Sequence, residues 1–324
     1  MKYKTCVYAI CKNEEKFVDR WYESIKDSDY ICVLDTGSSD NTVKKLKSLG
    51  ITVKVKNYDF FRFDEARNDS MKMIPKDTDI CICLDLDEVM VNGWKDELNK
   101  IWNKSVTRVK YIYNWKLDKN NKALVTFFSN KIHSLNYKWI YPVHEILKCN
   151  KSEKEIVSNN IVINHYPDSG KSRKQYLKLL ELSVKESNDS RNLHYLGREY
   201  MYHKKWNKCI DTLIKYLSIS TWKDERSASM RFISRCYIAL NRYNEAMMWL
   251  DKSIIEAPYL REGYVEKMFL EYDLKNYSLA IYNGLKALEI KTHELTYMNE
   301  IFAWDDTVDN LLKECYKKSN LSIT

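Results

Sequence analysis

The sequence predicts two domains of different class: an α/β domain with a largely parallel sheet, followed by an all-helical repeat domain. Two patterns lead to this prediction. In the first ninety residues, short apolar runs alternate with segments of helical spacing. After residue 170, helical periodicity dominates and small residues recur 34 positions apart, as at Ala246 and Ala280. The length of 324 residues fits a prior of about two domains.

The α/β pattern begins near the N-terminus, and each apolar run is followed by polar turn residues. Ser38 or Ser39 is expected to cap the helix after the second strand. Four strands joined by three helices indicate a parallel sheet with right-handed crossovers. In chain order, we predict strands at 5–10, 30–34, 51–55 and 80–84, and helices opening near Asn13, following the turn 36–42, and running through 65–71.

Two aspartates, Asp85 and Asp87, follow the apolar run 80–84. Because residues two apart on a strand share a face, both side chains are expected to project together from its carboxyl end, where open α/β sheets bind ligands. Paired carboxylates repel each other, and Mg²⁺ or Mn²⁺ relieves that repulsion. Asp35 ends another predicted strand and would line the same cleft. The alternative is an ordinary strand that ends in a polar turn.

Composition narrows the chemistry of the expected site. The seven glycines are not clustered, so a bound phosphate would need a metal ion and basic side chains instead of a glycine-rich loop. Residues 101–150 carry nine Lys and Arg against Asp118 and Glu145, which indicates a phosphate-attracting surface or a solvated basic face. Nine scattered cysteines predict reduced core thiols in a cytoplasmic protein, and no apolar run is long enough to span a membrane.

Four motifs carry a resemblance to a known family. Over residues 4–166 their order resembles that of family 2 glycosyltransferases, whose GT-A fold has a Rossmann-like nucleotide-sugar-binding sheet. The resemblance implies inverting transfer from a nucleotide sugar, usually a UDP-sugar, with Mn²⁺ or Mg²⁺ as cofactor. The motifs are Ala-Ile-Cys-Lys-Asn-Glu-Glu at 9–15, Asp-Thr-Gly-Ser-Ser-Asp-Asn-Thr at 35–42, Phe-Asp-Glu-Ala-Arg-Asn at 63–68 and Leu-Asp-Leu-Asp-Glu at 84–88.

The resemblance also implies roles for single residues within these motifs. Asp35 is implied to meet the uracil or ribose, and Arg67 to lie near the base or the diphosphate. Asp85 and Asp87 are implied to bind the sugar nucleotide and the metal ion, respectively. A helix-capping Asp35 and a surface Arg67 are the alternatives. The other implied donor-binding residues are Ile10, Asn13 and Glu15.

Two downstream segments resemble the acceptor side of the family. The Val-His-Glu element contains Glu145, our candidate for the catalytic base that an inverting displacement requires. His165, at the end of a strand-like run, is the candidate second metal ligand, with His144 as the alternative. Ordinary hydrogen bonding is the competing role for Glu145 and His165. Residues 127–130 depart from the family, because related proteins often have an arginine there.

The helical part fits tetratricopeptide repeats, in which each helix pair buries its apolar face against the next pair. About three copies fit into the repeat region. The predicted organisation is a GT-A glycosyltransferase domain at 1–168, a linker helix at 169–190, tetratricopeptide-like repeats at 191–290, and a C-terminal cap at 291–324 with a helix at 303–318.

The combination resembles the peptide S-glycosyltransferases of glycosylated bacteriocins and the lipopolysaccharide-core transferases. We favour transfer of glucose or an N-acetylhexosamine to Ser or Cys of a peptide held partly by the repeats, which also provide a surface for a homodimer. The alternative acceptors are a glycan, a lipopolysaccharide core or a DNA base. An alternative of another class is an inactive transferase that serves as a binding module, against which the intact Asp85, Asp87 and Glu145 argue.

Overall fold

The structure is a computed structural model, and it describes residues 3–168, 170 and 175–319. The chain divides into two compact units, Met1–Arg173 and Lys174–Thr324. All nine cysteines are free thiols, and all except the partly exposed Cys149 are buried. None of the helices in the described ranges combines the length and the apolar character needed to cross a membrane.

The N-terminal unit is an α/β domain built from ten strands and four helices in the part of it that the structure describes. In chain order these are β1 Thr5–Cys11, α1 Val18–Ile25, β2 Tyr30–Asp35, α2 Thr42–Ser48, β3 Thr52–Val55, α3 Phe63–Met71, β4 Ile80–Cys83, β5 Glu88–Met90, α4 Trp94–Ile101, β6 Arg108–Leu117, β7 Ala123–His133, β8 Tyr137–Ile140, β9 Ile146–Cys149 and β10 Glu155–His165.

Eight of these strands form one sheet in the order β3-β2-β1-β4-β7-β6-β10-β5, and β8 and β9 form a separate hairpin. Strands β1 to β4 run parallel, as predicted, and successive ones are joined through α1, α2 and α3. Val7 in β1, Val33 in β2 and Ile82 in β4 are fully buried. The parallel arrangement brings the carboxyl ends of β1, β2 and β4 to one edge of the sheet.

The prediction that Asp85 and Asp87 share one face of a strand is wrong. Strand β4 ends at Cys83, and the chain then turns, with the Glu88 N–H donating to the Asp85 carbonyl at 2.9 Å. The next strand, β5, pairs antiparallel with β10 at the far edge of the sheet. The turn, and not strand alternation, therefore sets where the two carboxylates point.

Two predicted helix starts also differ from the structure. Helix α1 begins at Val18, because Asn13 has a left-handed backbone (φ 55°) that interrupts helical geometry. Neither Ser38 nor Ser39 caps α2. The carboxylate of Asp40 instead accepts the Thr42 N–H at 3.0 Å, next to the start of that helix.

The C-terminal unit consists of helices that pack as consecutive pairs: α6 with α7, α8 with α9, and α10 with α11. Links of three residues make the helices of each pair antiparallel. The helices are α5 Tyr176–Glu186, α6 Ser190–Tyr202, α7 Trp206–Ile219, α8 Lys223–Ala239, α9 Tyr243–Glu256, α10 Arg261–Asp273, α11 Tyr277–Glu289 and α12 Thr307–Ser319, with a 3₁₀ turn at Ile301–Ala303.

The small residues of the predicted repeat lie where paired helices approach closely. Ala246 and Ala280 occupy equivalent places in α9 and α11, and both are fully buried. A Cβ at Gly197 would lie 2.4 Å from a methyl carbon of Leu213 on the partner helix. A Cβ at Gly284 would lie 2.8 Å from the Met268 sulfur. The interpretation of this region as tetratricopeptide-like helix pairs is confirmed.

One helix lies within the predicted linker 169–190: α5, which ends at Glu186. The first helix of the repeats, α6, begins at Ser190, and Asp189 caps it by accepting the Asn192 N–H at 2.9 Å. Ser169 and the residues at 171–174 lie outside the described part. The last helix begins at Thr307 and not at Ala303, because residues 301–303 form a 3₁₀ turn and Asp305 accepts the Thr307 N–H.

Candidate active site

The segments that follow β1, β2 and β4 meet at the carboxyl edge of the parallel sheet. The turn after β2 is organised by Asp35, which is completely buried. Its carboxylate accepts the N–H groups of Gly37 and Ser38 at 3.0 and 2.9 Å, the Ser38 hydroxyl, and the Cys11 thiol at 3.4 Å. Gly37 has φ 102°, and a Cβ there would lie 2.4 Å from the Asn57 amide oxygen. The Asp35 carboxylate thus holds the turn together. The sequence prediction had assigned the same carboxylate to a contact with the uracil or ribose.

Asn13 and Glu15 fasten the loop after β1 to the same turn. The Asn13 N–H donates to the Ser38 hydroxyl at 2.8 Å, and its side-chain oxygen accepts the Ser39 N–H at 2.8 Å. The Glu15 carboxylate accepts both the backbone and the side-chain N–H of Asn41 at 3.1 Å. These two predicted donor-binding residues therefore hold the rim of the cleft, and the partly buried Ile10 precedes them in β1.

Arg67, on α3, is the centre of the site. It is 5% exposed, and it donates two parallel hydrogen bonds to Asp85 at 2.8 and 2.9 Å and one to Glu145 at 2.5 Å. Its guanidinium also lies 5.1 Å from the ring centre of Trp139. Burial by itself lowers the pKa of Arg67, but the two carboxylates raise it well above its ordinary value. The structure thus brings three predicted site residues into one charge cluster and excludes the surface alternative for Arg67.

Lys131 and Glu88 extend this cluster and were not predicted as site residues. Lys131 lies 3.3 Å from Asp85 and 3.1 Å from Glu88, and Glu88 also accepts the Asp85 N–H and the Tyr113 hydroxyl. Burial would raise the pKa of Asp85, but Arg67 and Lys131 lower it below its usual range. Burial raises the pKa of Glu88. Asp85 therefore stays ionised more readily than Glu88.

Asp87 faces His165, with 3.6 Å between its carboxylate and Nε2 of the imidazole. Nδ1 of His165 donates to the Trp115 carbonyl at 3.1 Å, and the ring stacks on Trp115. That bond leaves the Nε2 lone pair directed at a carboxylate, which favours a cation there, either a proton or a metal ion. Burial lowers the pKa of His165, but Asp87 reverses this and raises it above the ordinary value.

The donor set at this position fits a divalent ion that takes its other ligands from outside the protein. Carboxylate oxygen and imidazole nitrogen both suit Mn²⁺, and Mg²⁺ commonly uses one or two carboxylates together with phosphate and water. Within the described ranges, no cluster of three or more His, Cys, Asp or Glu side chains forms a complete metal site. Asp87 and His165 therefore supply two possible ligands, and a metal ion bound there would need its others from outside the protein.

The loop between β8 and β9 carries His144 and Glu145, and α3 holds it in place. Asn68 exchanges two 2.9 Å hydrogen bonds with the backbone of Trp139, directly beside the Arg67–Glu145 bond. Tyr141 and His144 both have left-handed backbones, with φ 77° and 50°. Such geometry in residues with large side chains is costly and gathers at functional sites.

A chain of buried hydrogen bonds supports Trp139 from beneath. Its indole N–H donates to the Tyr8 hydroxyl at 2.9 Å, which lies 2.8 Å from Nε2 of His133. Nδ1 of His133 donates to the Ser134 carbonyl at 2.7 Å, so Nε2 is the acceptor in the neutral ring. Burial lowers the pKa of His133 to about 3. The imidazole is therefore neutral in the folded protein near pH 7.

Parallel strands joined by helices place the N-terminal unit in the class of Rossmann-like α/β domains. Residues 6–150, less than half of the chain, match the sequence model of the family described as glycosyl transferase family 2. The N-terminal unit therefore carries a family 2 glycosyltransferase domain of GT-A type. No curated protein matches the chain.

Several solved structures are similar at low identity. TarS from Staphylococcus aureus is 12% identical, with 79% of this chain and 55% of TarS covered and a TM-score of 0.44. The TPR domain of Sgt2 from Aspergillus fumigatus is 18% identical, with 40% of this chain and 79% of that domain covered and a TM-score of 0.34. The TPR2B domain of yeast Sti1 is 14% identical, with 41% of this chain and 99% of that domain covered and a TM-score of 0.32.

The buried imidazole of His133 should make stability depend on pH. Its folded pKa of about 3 lies below the ordinary value, so stability is lost as pH falls below 6.5, where only the unfolded chain takes up the proton. At pH 5 this loss should be about 2 kcal/mol relative to pH 7.5. We expect His133→Gln to remove it in urea unfolding measured at both pH values. His203→Gln, on the helical unit, is the control, and an unaltered pH dependence in His133→Gln would contradict the assignment.

Removing Asp85 should destabilise the N-terminal unit. Asp85→Ala leaves the buried Arg67 with Glu145 as its remaining carboxylate, and breaking a buried ion pair typically costs about 3 kcal/mol or more. The measurement is the free energy of unfolding in urea. Asp77→Ala, which breaks an exposed pair with Lys4, should leave that energy nearly unchanged. Equal effects of the two substitutions would show that Arg67 does not need Asp85.

Proposed function

We propose that residues 1–168 transfer a sugar, glucose or an N-acetylhexosamine, from a UDP-sugar to a Ser or Cys side chain of a peptide, with inversion at the anomeric carbon. The observation that carries the proposal is the cluster of Arg67, Asp85 and Glu145 at the carboxyl edge of a family 2 glycosyltransferase domain. It combines a rigidly held carboxylate for proton transfer with charged groups suited to a nucleotide diphosphate.

The donor diphosphate would lie between two charged features of this edge. Asp87 and His165 would hold Mn²⁺ or Mg²⁺, which neutralises charge on the leaving diphosphate when bound. Lys131, a quarter exposed, supplies a fixed cation beside Asp85. In this proposal Lys131 contacts the diphosphate in place of the arginine that related proteins often have at residues 127–130. The Asp35 turn, with its ordered backbone N–H groups, forms the wall for the nucleoside.

Glu145 would act as the catalytic base. Arg67 and the Asn68–Trp139 contacts fix the loop that carries it, so the carboxylate is oriented before an acceptor arrives. The acceptor O–H or S–H proton passes to Glu145 while the acceptor atom bonds to the anomeric carbon. In the same step, the bond from that carbon to the diphosphate oxygen breaks, and UDP leaves with the electron pair.

The metal ion can be tested through donor binding alone. We expect UDP to raise the melting temperature of the protein more in Mn²⁺ than in EDTA, because a ligand that binds the folded state stabilises it. Asp87→Ala and His165→Ala should each lose the Mn²⁺-dependent part of this rise. His203→Ala, a partly exposed histidine of the helical unit, should keep it. An undiminished Mn²⁺ effect in Asp87→Ala would contradict the assignment.

The base can be tested by removing its basicity while preserving its shape. With a hydroxyl acceptor, Glu145→Gln should reduce transfer by about 10²-fold or more, and UDP-sugar binding should persist. With a thiol acceptor the loss should be smaller and should shrink toward pH 9, because a thiol near its pKa already supplies thiolate. Glu155→Gln, which changes an exposed glutamate, should have normal rates. If Glu145→Gln transfers to hydroxyls at the normal rate, Glu145 is not the base.

A further inference from the structure

Within the helical unit, the irregular stretch between α11 and α12 lies across the first helices of all three pairs. We call residues 296–304 the inner segment. Helices α6, α8 and α10 contact one another in sequence and form one side of the stack. The inner segment contacts each of them through side chains and backbone. Glu294 and Leu295, just before it, are exposed, so the close contacts begin with the segment itself.

Tyr297 fills an aromatic slot on this side of the stack. Its ring stacks on Tyr195 of α6, with ring centres 6.3 Å apart and planes within 14°. It meets Trp222 edge-on at 5.6 Å, and its hydroxyl donates to Glu225 of α8. This slot therefore contacts both the ring and the terminal hydroxyl of an aromatic side chain.

Glu300, three residues further along, enters a clamp of two arginines. Its carboxylate accepts from Arg231 at 2.9 Å and from Arg235 at 2.5 Å. The same two arginines also hold Glu266 of α10, at 2.7 and 2.8 Å. Because Glu266 remains when Glu300 leaves, the fully buried Arg231 keeps a carboxylate partner in either state.

The helices also contact the backbone of the inner segment. The Glu300 N–H donates to Glu262 at 3.1 Å, and the Met298 carbonyl lies 3.5 Å from Arg231. The segment pairs with no strand, and only residues 301–303 form a helical turn. These contacts are those of a bound peptide, made up of an aromatic anchor, an acidic anchor and backbone hydrogen bonds.

We propose that this side of the stack is a peptide-binding site, and that the inner segment occupies it as an internal ligand. The partner is a protein segment with an aromatic residue followed three positions later by an acidic one, as in Tyr297-Met298-Asn299-Glu300. Binding of the partner displaces the inner segment. A tethered ligand has an effective concentration on the order of millimolar, so it masks the site from weak competitors. The proposal concerns the helical unit and does not depend on sugar transfer.

The test uses the full chain and a fluorescent peptide with the sequence of residues 293–302. The double variant Tyr297→Ala with Glu300→Ala removes both anchors of the internal ligand. By fluorescence anisotropy, the peptide should bind this variant at least about 10-fold more tightly than it binds the unaltered protein. Adding Arg235→Ala should abolish the gain. Leu295→Ala, at an exposed position before the anchors, should leave the site masked.

Two results would overturn the proposal. One is a double variant that keeps its helical circular dichroism and melting temperature but does not bind the peptide. The other is read on the unaltered protein by hydrogen exchange, which remains informative if the double variant fails to fold. The amides of Met298 and Glu300 should exchange at least about 10-fold faster than the buried amides of α8 and α10, by local opening. Exchange as slow as in those helices would identify the inner segment as a fixed part of the core.

Discussion

A buried guanidinium that must be neutralised is the constraint on which the candidate site depends. Arg67 is nearly inaccessible to water, and an isolated charge in that position would be strongly destabilising. Its two carboxylate partners come from different parts of the chain: Asp85 from the turn after β4, and Glu145 from the loop between β8 and β9. One cation thus joins a helix, a sheet edge and a hairpin, and the site forms only when all three have folded.

The remaining parts of the edge are held by hydrogen bonds, many of them accepted by carboxylates. The loops after β1 and β2 are joined by Asn13 and Glu15, and the Asp35 carboxylate is fully used by its own turn. These loops therefore form a prearranged wall, while Asp87 and Lys131 retain partial exposure. A site with rigid walls and a few accessible charges is suited to a charged ligand whose shape is fixed.

Much of this arrangement could be predicted from the sequence, because buried faces of strands and helices produce regularly spaced apolar and small residues. The apolar runs before Asp35 and Asp85 gave strands β2 and β4, and the spacing of Ala246 and Ala280 gave the helix pairs. The pairing of charged side chains produces no such spacing in the sequence. Lys131 lies in a strand with no marked alternation, so its contact with Asp85 appears only once β7 is seen beside β4. The end of β4 at Cys83 was hidden for a related reason, since the four-residue connection to β5 has no period.

The shared guanidinium also bears on how such a site changes over evolutionary time. Asp85 and Glu145 lie sixty positions apart, yet each is matched to the same side chain. A substitution at either position, or at Arg67, alters the charge balance that the other two require. Changes at these three positions are therefore epistatic: the effect of one depends on what occupies the others. New chemistry is reached more readily through Lys131 or through residues of the β8–β9 loop other than Glu145, where single substitutions leave Arg67 paired with Asp85 and Glu145.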